Sequence, residues 1–486
     1  MMRTRRSILA SAGSVALSLT VIGTATAADD QTRYLLATRG NGAIENVEAA
    51  GFEVVAELAG GDVLRVTGPA GAAGDLGALS GVRAAVTDAV FEVGVPEAIE
   101  TVDQLPDGVH EGAAFAENQW DKLVTEVPAA LEYATGAGSL VGVIDTGVET
   151  THPDLEDNVE SAELVTSLDP IPGDDTPEDT HGHGTNVAGI AAATGALGVH
   201  GTAPEAGIAS YKVFVLTEIE GEVVLATTTG DILESIDRAA AAGADAANLS
   251  LGTAPIPPQG NVGGFRTVYE RVIQHATRAG TLVVASAGND AANLQQGGYF
   301  TVPNSVAGAM SISATAPNDD LTYYSNFGTN EIDVGAPGGG YGSLEKTLCA
   351  YEEWLDAESP LLISLDPREP GQTGTLWLDE SGVPTTNPDA VDESVNCIIP
   401  EWPVPFNFVF NAVDGESWAW FAGTSMSAPQ VTGLAALVRE LDPDRNARRV
   451  EQAIKRGAEG ASGQADPEVG AGRINALQTV RDVAGE

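Results

Sequence analysis

Positive charge is what this chain has least of. Its 486 residues carry 23 basic side chains, only four of them lysine, against 69 acidic ones, for a formal net charge of −46. A surface so acidic repels phosphate, which excludes nucleic acid and anionic membrane as partners. It suits concentrated salt, where the Debye length shrinks to ~3 Å and self-repulsion is screened. Long apolar runs are missing too, and no stretch beyond the N-terminus approaches the ~20 residues of a membrane span. Cysteine occurs only at Cys349 and Cys397.

What is present fits a globular protein larger than one minimal domain, with 43% apolar residues. The chain opens "MMRTRRSILASAGSVALSLTVIGTATAADD". A basic start, a modestly apolar stretch and the small-residue site Ala25-Thr26-Ala27 make residues 1–27 an export leader. Arg5 and Arg6 give it the twin-arginine form, so a secreted, extracellular protein is expected. Export favours a disulfide between the two cysteines over a metal or redox pair.

Next comes a small module. "RYLLAT" reads as a strand, "GAIENVEAAG" as a helix, and "FEVVAEL" and "DVLRVTG" as a hairpin about Gly60-Gly61. "AGDLGALSG" is a second helix candidate and "VRAAVTDAVFEV" a last strand. That βαββαβ order predicts a small ferredoxin-like α+β unit. Residues 96–118 are polar and acidic and read as a linker.

Beyond Trp120, apolar strands ("SLVGVID", "IASYKVF", "DAANLSL", "TLVVASAG") alternate with Ala-rich helical stretches. The alternation predicts an α/β fold with a doubly wound parallel sheet, chemistry lying at the carboxyl ends of its strands. Residues 341 to about 416 break the rhythm with 15 acids, two bases and both cysteines, and read as an insertion.

Three stretches combine into a reactive set. "VGVIDTGV" ends an apolar strand on Asp145, "HGHGTNVAGIAAA" places a histidine at a helix start, and "FAGTSMSAPQ" sets Ser425 among small residues before an apolar helix. A serine hydroxyl needs an imidazole to take its proton, and the imidazole needs a carboxylate to hold it. Asn289 in "VVASAGND" offers an amide donor for a developing oxyanion.

With "IDTGVETTHPDL", "HGHGTNVAGI", "NLSLG", "ASAGND", "YSNFG", "VGAPG", "GTSMSAP" and "GAGRIN" in order, residues 119–486 outside the insertion resemble the subtilisin-like serine proteases. The resemblance implies Asp145 as orienting acid, His183 as general base, Ser425 as nucleophile and Asn289 as oxyanion donor. It implies that Ser250 and Gly252 lie on an edge strand that pairs with substrate, and that residues 28–106 are an inhibitory propeptide with linker. The peptidase domain would then be 107–486, with a mature start between Val95 and Asp121. Expected partners are protein or peptide substrates and the chain's own propeptide, acting on a monomer. No cofactor is required for chemistry.

His181 competes with His183, but the family's base opens the His-Gly-Thr-x-Val-Ala-Gly string, which begins at His183. That string's usual second histidine is Asn186 here. Asp154 matches one ligand of the family's strong calcium site; a lone carboxylate makes no cage, so no metal ligands are expected and structural calcium is left open. The alternative readings are a catalytically inactive, peptide-binding relative, a Ser-Glu-Asp enzyme, which the intact "HGTNVAG" disfavours, and an acidic scaffold, which leaves the ordered motifs unexplained.

Overall fold

The computed structural model describes residues 18–27, 31–40, 42–94, 101–106, 112–257, 264–296, 298–342, 373–378, 393–398, 408–413, 415–460 and 466–486. The leader's paired arginines fall outside them. So does the expected disulfide, since Cys397 is described only as backbone and Cys349 not at all.

The first unit comprises β1 (Ser18–Thr24), β2 (Gln31–Thr38), α1 (Ala43–Ala49), β3 (Glu53–Leu58), β4 (Val63–Gly68), α2 (Ala73–Ala78) and β5 (Val82–Thr87). β2 is central, antiparallel to β4 on one side and β5 on the other, with β3 beyond β4. "RYLLAT" shows no polar alternation because both faces of β2 are covered. Tyr34 and Leu36 pack with Val47, Leu64, Val66 and Leu76, whereas Leu35 and Ala37 turn the other way, towards Val63 and Val86.

The expected last strand is in fact two. It breaks at Asp88, and β6 (Ala89–Gly94) leaves the sheet to pair with β1 on one side and residues 226–228 on the other. The cause is the side chain of Asp88, which turns inward to accept the Gly230 N–H at 2.9 Å.

The main sheet has seven strands: β7 (Leu140–Asp145), β8 (Val159–Leu164), β9 (Gly207–Lys212), β12 (Ala246–Leu249), β13 (Leu282–Ser286), β14 (Ala309–Thr315) and β15 (Val334–Pro337). β10 (Val215–Ile219) and β11 (Glu222–Thr228) form a hairpin outside it. The spatial order is β8-β9-β7-β12-β13-β14-β15 and every pair is parallel. The α/β doubly wound expectation holds. Alternate residues feed two cores: Val141, Val143, Val284 and Ile312 face α3 (His183–Ala192) and α6 (Thr424–Leu441). Ile144, Tyr211, Ala247 and Val283 face α4 (Thr229–Ala241) and α5 (Phe265–Ala279). The strand order reverses between β7 and β12, which puts the crevice for chemistry at their carboxyl ends.

The second core continues into the first unit, since Leu35, Ala37, Val63 and Val86 cluster with Ile232, Ile236, Val268 and Tyr269. Arg65 on β4 crosses the same boundary, with Nη2 3.0 Å from Asp231 and Nη1 2.5 Å from Glu234.

Two segments sit otherwise than the sequence pattern suggested. The linker is tied down in places. Thr101–Val102 pair with Trp418–Ala419, and Phe115 is buried against Phe410 and Trp418, with ring centroids 5.3 and 5.1 Å away. The insertion's end also comes early: β16 (Val409–Val413) is buried core and forms a hairpin with β17 (Ser417–Phe421), leading straight into α6. Its aromatic, apolar run belongs to that hairpin. Helices α7 (Ala447–Gly457) and α8 (Ala476–Ala484) close the same side. Among the described residues, no helix is long and apolar enough to cross a membrane.

Candidate active site

Asp145 is the last residue of β7, and its neighbours keep the strand buried so that the carboxylate emerges only at the carboxyl end. His183 is the first residue of α3, with Gly182 before it in the left-handed region. The fold brings these two together: His183 Nδ1 is 2.7 Å from Asp145 Oδ1, and both side chains are fully buried. The same oxygen accepts the Thr146 N–H at 2.8 Å. This contact fixes the imidazole tautomer, with Nδ1 bearing its proton towards the carboxylate and Nε2 left as the basic nitrogen. Phe421 stands edge-on to the ring at 6.4 Å, an apolar wall on one side.

Ser425 is the second residue of α6, a buried helix whose first-turn N–H groups lack partners within the helix. Its hydroxyl donates to the Ser250 carbonyl at 3.1 Å, and the Ser250 hydroxyl donates back to the Ser425 carbonyl at 2.7 Å. Asn248 Nδ2 donates to the Ser250 hydroxyl at 2.9 Å, and Thr432 on α6 donates to Asn248 Oδ1 at 3.1 Å. These bonds stitch the end of β12 to the start of α6. His183 Nε2 is buried and has no hydrogen-bond partner among the described residues. The basic nitrogen and the serine hydroxyl are therefore not joined in this state.

Asn289 follows β13. Its Oδ1 accepts both the Thr424 N–H at 2.9 Å and the Thr424 hydroxyl at 3.0 Å. Because the backbone N–H only donates, the amide oxygen must face Thr424, which turns the NH2 away from that residue. Gly288 permits the turn: its φ is +97°, and a Cβ there would lie 2.5 Å from Asn326 Nδ2. Gly252, the other edge residue, pairs in parallel with Ser18 of β1.

His181 is not part of this contact. It is half-buried, its Nε2 lacks a partner among the described residues, and burial pushes its pKa down against the opposing pull of Asp179 and Asp174. Asn186 donates from Nδ2 to the Ala412 carbonyl at 3.2 Å, while its Oδ1 is buried without a partner among the described residues.

Asp154 does not fit a calcium ligand in this chain. Its carboxylate is fully buried and ringed by donors: the N–H groups of Leu197, Gly198 and Val199 at 2.7–3.1 Å and the Trp418 indole at 2.9 Å. A calcium cage needs converging oxygens, whereas converging N–H groups repel a cation. Asp154 instead pins the β17 hairpin next to Ser425.

Sequence reasoning missed Asp179, Thr146, Thr185 and Thr424, which hold the site from behind. One signal was available. In "DTHGHGT" an acid stands close before a helix-opening histidine whose own N-cap, a glycine, has no side chain to offer the first-turn N–H groups.

The pattern of the Subtilase family matches residues 136–360 and 408–472, most of the chain outside the N-terminal unit and the insertion. The chain belongs to that family, and it is a subtilisin-like serine endopeptidase acting on protein or peptide substrates. It is 33% identical to thermitase of Thermoactinomyces vulgaris over 229 residues, spanning 46% of this chain and 71% of the relative. It is 35% identical to subtilisin Savinase of Lederbergia lenta over 221 residues, spanning 45% and 71%. The fold resembles the crystal structure of an epidermin leader peptide processing serine protease from Staphylococcus aureus. There the TM-score is 0.65 at 18% identity, covering 94% of this chain and 99% of that one.

Proposed function

We propose that the protein is a secreted endopeptidase that works by an Asp145–His183–Ser425 triad through an acyl-enzyme, in concentrated salt. The observation that carries the reading is the 2.7 Å His183–Asp145 contact at the switch point, facing the helix whose second residue is Ser425. Substrate adds as a strand beside Gly252, and an amide N–H of its backbone takes the Ser250 carbonyl. That displaces the Ser425 hydroxyl, which turns to the unpartnered Nε2 of His183. Oγ attacks the peptide carbonyl as its proton passes to Nε2, and Asp145 stabilises the imidazolium. The oxyanion is held by the Asn289 NH2 and the Ser425 N–H. His183 then protonates the leaving amine, and water repeats the sequence on the ester. A merely peptide-binding relative gains nothing from a buried acid–imidazole pair. Incubating purified protein with a random peptide mixture at low and high salt, and mapping the cuts, tests the reading. Absence of cleavage at every salt concentration would refute it.

In the same reading residues 1–27 direct twin-arginine export and residues 28–106 are a ferredoxin-like inhibitory propeptide with linker. The mature monomer begins between Val95 and Asp121. β1 lies within that leader and occupies the Gly252–Thr253 edge, so removal of residues 1–27 is what frees this edge for substrate. Asp88 makes departure of the propeptide pH-dependent. It is buried between the units, facing Arg65 from β4, Arg33 from β2, Asp231 from α4 and Tyr269 from α5, and burial raises its pKa from the ordinary 3.8 to about 7. A carboxyl raised in the docked state favours docking fully below its ordinary pKa, and the advantage is lost as pH climbs to about 7. Once cleaved, the module should therefore stay bound at pH 5 and separate at pH 8, as followed by size exclusion. Asp88→Asn should flatten that dependence.

Salt and metal are separated by one series of thermal melts. Screening of the −46 charge should raise the melting temperature steadily towards molar salt. The donor-ringed Asp154 makes no cation site, so adding a calcium chelator at fixed ionic strength should not shift the melt through that position. Asp154→Asn, which leaves donors facing an NH2 group, should lower it whether or not chelator is present.

A further inference from the structure

Asp179 lies four residues before His183 and is 5% exposed. No lysine or arginine pairs with it among the described residues. Its two oxygens take four hydrogen bonds instead. Oδ1 accepts the Thr146 hydroxyl at 2.9 Å and the His181 N–H at 2.9 Å. Oδ2 accepts the Thr185 N–H at 2.8 Å and the Thr185 hydroxyl at 2.7 Å. Every group facing it is a donor, so only an acceptor-only carboxylate satisfies all four, and an asparagine would set its NH2 against two of them.

The bonds join two particular segments. Thr146 follows Asp145, and its hydroxyl, having donated to Asp179, accepts the Gly184 N–H at 2.9 Å. Gly184 and Thr185 follow His183, and the Thr185 hydroxyl accepts the Glu149 N–H at 3.0 Å. The backbones are in direct contact as well. A Cβ on Gly184 would lie 2.0 Å from the Gly147 carbonyl, and one on Gly147 would lie 2.6 Å from the Pro177 carbonyl. The turn after the acid and the helix start of the base are thus held against each other around one buried anion. Burial pushes the Asp179 pKa up, opposed by the bonds from Thr185, His181 and Thr146.

We propose that Asp179 is a positioning residue for catalysis, clamping Asp145 and His183 in register through Thr146 and Thr185. The proposal rests on the triad reading above. Helix capping alone would need only the bonds to Thr185, and the bond to the His181 N–H closes a local turn; the bond to Thr146 reaches the other segment and does what neither of these does. The same carboxylate therefore sets the distance between acid and base, a distance to which turnover is steep.

The test compares turnover in the full chain carrying Thr146→Val, Thr146→Ser, Asp179→Asn and the Thr146→Val/Asp179→Asn double. A misplacement of about 1 Å in the acid–base pair costs on the order of 10²-fold. Thr146→Val should therefore lower kcat roughly 10- to 100-fold with KM little changed, and Thr146→Ser, which keeps the hydroxyl, should restore it. The double variant should be no slower than Asp179→Asn alone, because the clamp is already open. Labelling by an organophosphonate should slow by the same factor as kcat. If Thr146→Val keeps full kcat, the proposal is overturned, and this holds even where Asp179→Asn fails to fold. Strictly additive losses, with lowered melting but normal kcat, would likewise reduce Asp179 to a helix cap. Turnover surviving in Ser425→Ala would indict the triad itself, separately from Asp179.

Discussion

Ser425→Ala abolishes peptide hydrolysis and with it the removal of the N-terminal module, leaving a stable precursor. Removing the triad serine or histidine of subtilisin, a relative, costs on the order of 10⁶ in turnover, and that sets the scale here. The folded state should be unharmed, because the Ser425 hydroxyl makes one hydrogen bond, to Ser250, and the alanine methyl fits the same buried space. His183→Ala should be as damaging, since it removes the imidazole that rests on Asp145. His181→Ala should keep most activity: among the described residues no hydrogen bond joins its ring to Asp145, and its backbone N–H, which the substitution keeps, is the group tied to Asp179. Initial rates on one peptide, with the precursor's size followed on a gel, check all three. An inactive His181→Ala beside an active His183→Ala would reverse the assignment of the base.

Asn289→Ala carries the second largest effect. The amide is aimed by two donors from Thr424, so its NH2 is fixed before substrate arrives and spends nothing on reorientation during the reaction. Removing one such donor costs roughly 10²–10³ in kcat, a range measured in subtilisin. KM should change little, because the oxyanion exists only in the transition state and intermediate. The loss should exceed that of replacing Thr424 by valine, which removes one of the two aiming bonds and keeps the amide itself. Steady-state kinetics on a single peptide separate the outcomes. A rise in KM at constant kcat would instead make Asn289 a substrate contact.

The parallel sheet was legible because strands buried on both faces write continuous apolar runs, and the helices between them write a different period. The site was legible for a related reason. Close packing at the starts of α3 and α6 demands small residues, so Gly182, Gly184 and Gly423 mark both reactive side chains in the sequence. Long-range polar closure leaves no such mark. Nothing local announces that Asp88 turns inward to Gly230 and splits a strand, or that Trp418 donates to Asp154 across 264 residues. Asp179 looks like a loop acid until the fold sets Thr146 beside it. The run at 408–413 was read with the acidic insertion because its neighbours are acidic, although its own Phe408, Val409 and Phe410 are core residues.

The central claim is that the fold turns Ser425 into a nucleophile by way of His183 and Asp145. An organophosphonate that labels only activated serines tests it most directly, with the adduct located by mass spectrometry of peptides. One adduct per mature chain is expected, on Ser425, present in His181→Ala and lost in His183→Ala and Asp145→Ala. Labelling that persists undiminished in His183→Ala, or an adduct on any other residue, would contradict it.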